Sequence, residues 1–421
     1  MERPSVSESL IANGMPLVSL PVAGRLATAI AIVLPAGAHY ERHDEAGAAH
    51  VLEHLAFKGT ARHRTATELN RAAEYLGTEL DASCTVDCVE FSTAVRAQSA
   101  MPAVQLLTEV VATPLLAANE LERERAVICQ EIADANENPG SRADDLLSAA
   151  LFPGHRLAKP IAGELSDVRA LTHGQLVAFR ERQWSPAGGL AVVAGNLDHV
   201  DWDVLAQQLS AIPARPTPSA AAPVPPFAPR AELEQRDGDV VHVRLAYHVD
   251  GLDLERGRDR AVAEVFSQLI GGPMGSRLLD ELRERHALCY WIEGQVWGYQ
   301  GTTFLSVSCS VAPSDLDETC ERIQAILAAL RAAGPTDEEH RRFCAYATGA
   351  VALDFESVSA RVDHAVELII QHDDHDLDPA AYLLELEAVT REQLRELAAA
   401  VQPEPCVACV GPTDNSPFLS D

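Results

Sequence analysis

Hydrophobic and polar positions alternate along this chain in two runs that repeat the same order. In the first run a compact apolar stretch, Ala27 to Leu34, predicts a strand, and Ala46 to Phe57 predicts an amphipathic helix. Alternating residues from Leu80 to Val95 follow, then helical periodicities over Ala100–Val111 and Asn119–Asn136. The second run opens with a strand at Val240–Val249 and a helix within Arg258–Arg285. It continues with alternation over Tyr290–Val311 and helices around Leu316–Ala332 and Asp337–His372. Each run closes on a short apolar strand ending at glycine, LAVVAGN at Leu190–Asn196 and CVACVG at Cys406–Gly411. Strands interleaved with runs of helices predict two duplicated α+β domains, each a mixed or antiparallel sheet with helices.

Between the runs lies PARPTPSAAAPVPPFAP, which suits neither a helix interior nor a central strand and reads as a semi-rigid linker. The expected organisation is a first domain over residues 1–211, a linker over 212–230 and a second domain over 231–421. A length of 421 residues agrees, being too great for one ordinary core.

Composition narrows the class. A formal net charge of −29 excludes a general nucleic-acid surface and disfavours an anionic membrane, while tolerating cationic ligands. The first residues carry acidic side chains and no apolar core of a signal peptide, and Ala27–Ala38 is interrupted by Pro35 and Gly37. The nine cysteines are scattered and odd in number, which points to reduced thiols and a cytoplasmic setting. Cys406 and Cys409 form a lone C-x-x-C inside an apolar run, which reads as buried strand rather than metal site.

The chemistry begins at His50-Val51-Leu52-Glu53-His54. Positions i, i+3 and i+4 of a helix share a face, so both imidazoles can meet one metal ion with Glu53 beside them. Two imidazoles and a carboxylate suit zinc, and a catalytic site keeps a further position for water. Asp44 is the expected cap of this helix and Gly59 its expected end. Glu131, 77 residues after His54, lies on the helix expected from Asn119, where Asn119 and Glu122 resemble a capping box and Leu121, Val127, Ile128 and Ile132 supply a buried side. Glu124 shares the face of Glu131 two turns earlier and suits the orienting of a ligand histidine, though in its own context among Glu120, Glu122, Arg123 and Arg125 it reads rather as a solvated charge.

HVLEHLAFKGT at His50–Thr60, followed by ERERAVICQEI at Glu122–Ile132, resembles the inverzincin peptidases of family M16. The resemblance implies zinc, one per chain, on His50, His54 and Glu131, with Glu53 as general base and Glu124 as supporting carboxylate. GGPMGSRLLDELRERHALCYWI, Gly271–Ile292, is similar to the glycine-rich loop, helix and strand of the family's other domain. There the resemblance implies a substrate site with Gly271 and Gly272 and an Arg/Tyr pair at Arg283 and Tyr290. It also implies half of a clamshell chamber, closed by a second chain. A homodimer is expected, because this chain holds both sets; a heterodimer with a related chain is the other arrangement. Ala82 and Ser83 fall on the implied substrate-binding edge strand, where Asp81-Ala82 departs from the family's Asn-Ala and leans toward basic peptides.

The expected activity is therefore zinc-dependent cleavage of short or unfolded peptides, with no nucleic-acid or membrane partner. Two other readings stand beside it: a partner-dependent subunit that trims leader or targeting peptides, and a non-catalytic structural relative. His39 and His43 read as loop residues and His155 as part of a structural Gly/Pro loop. His364, His372 and His375, with Asp363, Asp373 and Asp374, read as a solvated helix end rather than a second metal site.

Overall fold

The structure is a computed structural model that describes residues 6–215, 222–372, 374 and 376–413. Its strands are β1 (Ser7–Leu10), β2 (Pro16–Pro21), β3 (Ala27–Leu34), β4 (Asp81–Cys84), β5 (Val89–Arg96), β6 (Leu190–Gly195), β7 (Ala231–Gln235), β8 (Val241–Val249), β9 (Cys289–Tyr299), β10 (Thr302–Val311) and β11 (Cys406–Gly411). In the first half the helices are α1 (Ala48–Ala56), α2 (Ala66–Tyr75), α3 (Ala100–Ala112), α4 (Ala118–Glu137), α5 (Pro139–Leu151), α6 (Leu165–Ala170), α7 (His173–Gln183) and α8 (Trp202–Leu209). In the second they are α9 (Gly257–Gly271), α10 (Leu316–Ala333), α11 (Asp337–Asp354), α12 (Val358–His372), α13 (Pro379–Ala388) and α14 (Arg391–Ala400).

Two compact units result. Among the described residues, one is built from those within 6–133, 159–222 and 354–377, the other from those within 134–158, 223–353 and 378–413. The first holds a six-stranded sheet in the order β1-β2-β6-β3-β5-β4. Strand β3 is buried on both faces: Ile30, Ile32 and Leu34 join the main core with α1, α3 and α7, while Ala29, Ala31 and Val33 face the smaller core under α12. That double burial explains why β3 is a continuous apolar run, whereas β5 alternates.

The second unit holds a five-stranded sheet in the order β7-β11-β8-β10-β9. The two sheets share a plan. In the first, β2 runs parallel to β6, and β6, β3, β5 and β4 pair antiparallel in turn. In the second, β7 runs parallel to β11, and β11, β8, β10 and β9 do the same. Strand β1 is the addition in the first sheet. The fold is thus mixed α+β with the same topology used twice.

The units do not follow a single cut at the proline-rich tract. Helix α5 precedes the tract yet packs on β11 and β8, and α12 follows it yet packs on β6 and β3. A sheet apolar on both faces needs helices on both, and the local sequence supplies only one layer. The periodicity over Asp337–His372, read as one helix, breaks into α11 and α12, with the Ser357 hydroxyl accepting the Ala360 N–H at 3.3 Å.

Candidate metal centre

The helix carrying the H-x-x-E-H segment, α1, is positioned from outside itself. Gly47 stands before it at φ 87°, a conformation that suits glycine, and a Cβ there would fall 2.5 Å from the carbonyl oxygen of Ala162. The first-turn amides are met by Glu41, whose buried carboxylate accepts from the N–H of Gly47 and of Ala49, each at 2.9 Å. Asp44 does not cap the helix as expected; its carbonyl and carboxylate accept from the Gln175 amide instead. Gly59, at φ 135°, follows the last turn as the sequence suggests. Val51, Leu52 and Leu55 are buried, which turns His50, Glu53 and His54 away from the core.

Helix α4 brings the other carboxylates. It begins at Ala118, so Asn119 lies within it and its amide donates to Glu120 at 2.8 Å rather than capping. Leu121, Ile128 and Ile132 are buried, but Val127 is 47% exposed, because the core stripe here is narrower than the apolar pattern. The Arg125 guanidinium donates to the carbonyls of Val168 and Leu171, tying α4 to the α6 region. Glu124 is buried and doubly engaged, not solvated.

Together α1 and α4 place ligand atoms of His50, His54 and Glu131 within 4.8 Å of one another, and no second such group occurs among the described residues. The His50 and His54 rings meet edge to face with centroids 4.6 Å apart. His54 Nε2 lies 3.6 Å from Glu131, and its Nδ1 lies 3.3 Å from Glu124. The second oxygen of Glu124 takes the Lys58 ammonium at 2.8 Å. Burial, and then the neighbouring His54, push the His50 pKa down to about 4, so this ring is neutral with a lone pair to offer. Its buried Nδ1 has no protein partner. Two imidazoles and a carboxylate converging this closely fit a divalent cation of the zinc type. The Glu53 pKa is raised, chiefly by burial; Asp81 and Glu131 add to the rise, while His54 and the Cys84 backbone N–H oppose it.

Ala82 and Ser83 lie on β4, the last strand of its sheet, paired only with β5 on one side. The Asp81 carboxylate accepts the N–H of Ala82 at 2.9 Å. In the second unit, Gly271, Gly272, Arg283 and Tyr290 line one groove of about 510 Å³ with Met274 and Trp291. The Arg283 guanidinium sits 4.9 Å from the centre of the Tyr290 ring, and Tyr290 is 84% exposed. Arg283 belongs to a π-helical stretch, Leu279–Arg285, where an extra residue per turn re-aims side chains. A Cβ on Gly271 would lie 2.1 Å from the Gly294 backbone nitrogen, so helix α9 and strand β9 approach as only glycines permit.

The remaining candidates take structural places. His39 is buried and bonded to the Ala222 carbonyl at 2.8 Å, His43 is exposed, and His155 accepts the Leu157 N–H. His364 packs on Phe355, and His372 lies 3.9 Å from Glu367; Asp373 and His375 lie outside the described residues. Cys406 and Cys409, three apart on buried β11, point to opposite faces and cannot share a ligand. Sequence reasoning missed Glu41 and Lys58. Neither has a local signal, since Glu41 lies outside the capping positions and Lys58 finds its partner 66 residues on.

Comparison with known proteins bears on the family and the fold. The family model described as insulinase, peptidase family M16, matches residues 23–165, and that of the peptidase M16 inactive domain matches residues 170–345. A Mycobacterium leprae protein named an uncharacterized zinc protease is 28% identical, covering 83% of this chain and 79% of its own. One of that name from Bacillus subtilis is 25% identical, covering 92% and 94%. The peptidase M16 inactive domain structure from Pseudomonas fluorescens superposes with a TM-score of 0.87 at 19% identity, over 97% of this chain and 99% of that one. No helix among the described residues is long and apolar enough to cross a membrane. With both family models matched across most of its length, this chain belongs to peptidase family M16.

Proposed function

We propose that the chain is a zinc-dependent endopeptidase acting on short or unfolded peptides, with His50, His54 and Glu131 holding one zinc ion. The convergence of those three side chains, with Glu53 on the same helix face, carries the reading. When bound, zinc supplies Lewis acidity, lowering the pKa of a water and polarising the scissile carbonyl. Glu53 takes a proton from the attacking water and passes it to the departing amine, a task suited to a carboxyl whose pKa burial has raised. Glu124 holds the His54 ring by its Nδ1.

The outer edge of β4, on the side away from β5, is suited to pair with an extended substrate at Ala82 and Ser83, and Asp81 beside them favours basic residues. Arg283 and Tyr290, in the groove beside Gly271 and Gly272, are suited to hold a substrate carbonyl. A second chain, by preference an identical one, completes the chamber. Seven of the nine cysteines are buried thiols scattered over both units, which favours a reducing, cytoplasmic setting.

The test is metal analysis of the purified chain and of Glu53→Gln and His54→Ala, with a quenched peptide assayed in parallel. The expected result is one zinc per chain in the parent and in Glu53→Gln, loss of zinc in His54→Ala, and chelator-sensitive cleavage in the parent alone. A Glu53→Gln protein cleaving at the parental rate overturns the role of Glu53. A folded but metal-free, inactive parent would turn the reading to a non-catalytic relative, and activity appearing only with a related chain to a partner-dependent subunit.

A further inference from the structure

Glu124 is shared between two partners through separate oxygens. Oε2 lies 3.3 Å from Nδ1 of His54, and Oε1 takes the Lys58 ammonium at 2.8 Å. The carboxylate is buried, its side chain 9% exposed, so each oxygen depends on its partner in place of water. Lys58 leaves the chain just beyond the C-terminal turn of α1, where a cation is favoured by the helix dipole. It follows His54 by four residues, so the same helix end carries both groups that grip Glu124.

The residue type is informative. The chain contains 33 lysines and arginines together, and only Lys58 and Lys159 are lysine. A guanidinium is a planar fork that engages both oxygens of a carboxylate, whereas an ammonium is a compact charge that engages one and leaves the other free. At Glu124 the free oxygen is the one facing His54. A fork at position 58 would compete with the imidazole for Oε2.

We propose that Lys58 is a positioning residue of the metal centre: by holding Oε1 alone, it presents Oε2 of Glu124 to His54 and so orients the His54 ring for zinc. This rests on the zinc-peptidase reading above.

The experiment measures zinc affinity of the full-length protein by competition with a chromogenic chelator, in the absence of substrate, for the parent, Lys58→Arg, Lys58→Met, Glu124→Gln and the double variant Lys58→Met/Glu124→Gln. Loss of such an outer contact costs about tenfold to a hundredfold in metal affinity. We expect Lys58→Arg and Lys58→Met each to weaken zinc binding about tenfold. The double variant should bind no more weakly than Glu124→Gln, since Lys58 acts only through that carboxylate. In the zinc-free form Lys58→Arg should melt with the parent, whereas Lys58→Met, which leaves the buried Oε1 of Glu124 without its partner, melts lower. In Lys58→Arg kcat should fall while KM holds, a division that a general packing defect would not produce. If Lys58→Met fails to fold, Lys58→Arg, which keeps charge and length, decides the matter. Parental zinc affinity in Lys58→Arg overturns the inference while leaving the peptidase reading intact. A parent that binds no zinc overturns both.

Discussion

The Glu41 carboxylate accepts the backbone N–H of Ala49 at 2.9 Å, one residue ahead of His50, and so fixes where the metal-bearing helix begins. It does this from six residues before Gly47, whose N–H it also accepts. Replacing Glu41 with alanine removes both bonds and leaves buried amides unmet. The expected cost is about 2 kcal/mol, at the upper end for a helix cap. Denaturant unfolding of the zinc-free protein measures it, and a parental midpoint would show that the contact carries no weight.

The Tyr290 ring holds the Arg283 guanidinium over its face, and on the proposed reading its exposed hydroxyl is the group that meets substrate. Tyr290→Phe keeps the ring and removes only the hydroxyl. On the proposed mechanism kcat/KM falls about a hundredfold, the lower range for losing one oxyanion donor. Zinc content and melting temperature should be unaltered. Unimpaired cleavage by the phenylalanine variant would take Tyr290 out of the chemistry.

Gly271 and Gly349 predict opposite signs for one substitution. A Cβ at Gly271 would lie 2.1 Å from the Gly294 nitrogen, so Gly271→Ala must push α9 away from β9 at a cost of about 1–3 kcal/mol. Gly349 lies inside α11 with nothing within 4 Å of an added Cβ, so Gly349→Ala should stabilise by up to about 1 kcal/mol. Thermal unfolding of the two variants side by side checks the pair; destabilisation by both would refute the helix-propensity half.

Glu90, on β5, has its pKa raised to about 7, first by burial and then by Asp363 on α12, with Asp81 on β4 adding and Ser92 opposing. A folded-state pKa above the unfolded value means that the folded chain binds the extra proton between about pH 4.5 and 7. Stability from this group is therefore present in acid and lost as pH rises through that window. Glu90→Gln should match the parent near pH 4.5 and exceed it above pH 7, by on the order of 1 kcal/mol after allowance for partial exposure. Melting curves across that range test it, and a difference independent of pH would contradict the assignment.

What the sequence alone determined is what depends on short spacing. The i, i+4 histidines with Glu53 between them define a helix face whatever surrounds them. The ranges of β3, β11 and α10 follow the hydrophobic period closely, because each is a single element with one dominant pattern. The repeat of strand and helix order, visible as two parallel runs, reappears as two sheets of one topology. Glu131 and Glu124 were legible through their seven-residue separation on one helix and through resemblance.

Tertiary structure decided what depends on distant partners. That α5 and α12 each cover the sheet of the opposite half, that Glu41 rather than Asp44 meets the first-turn amides of α1, and that Lys58 divides Glu124 with His54 have no local signature. Burial decides each of them. An amide, a carboxylate or an apolar sheet face removed from water takes whatever partner the fold brings within reach, and linear spacing does not record that reach.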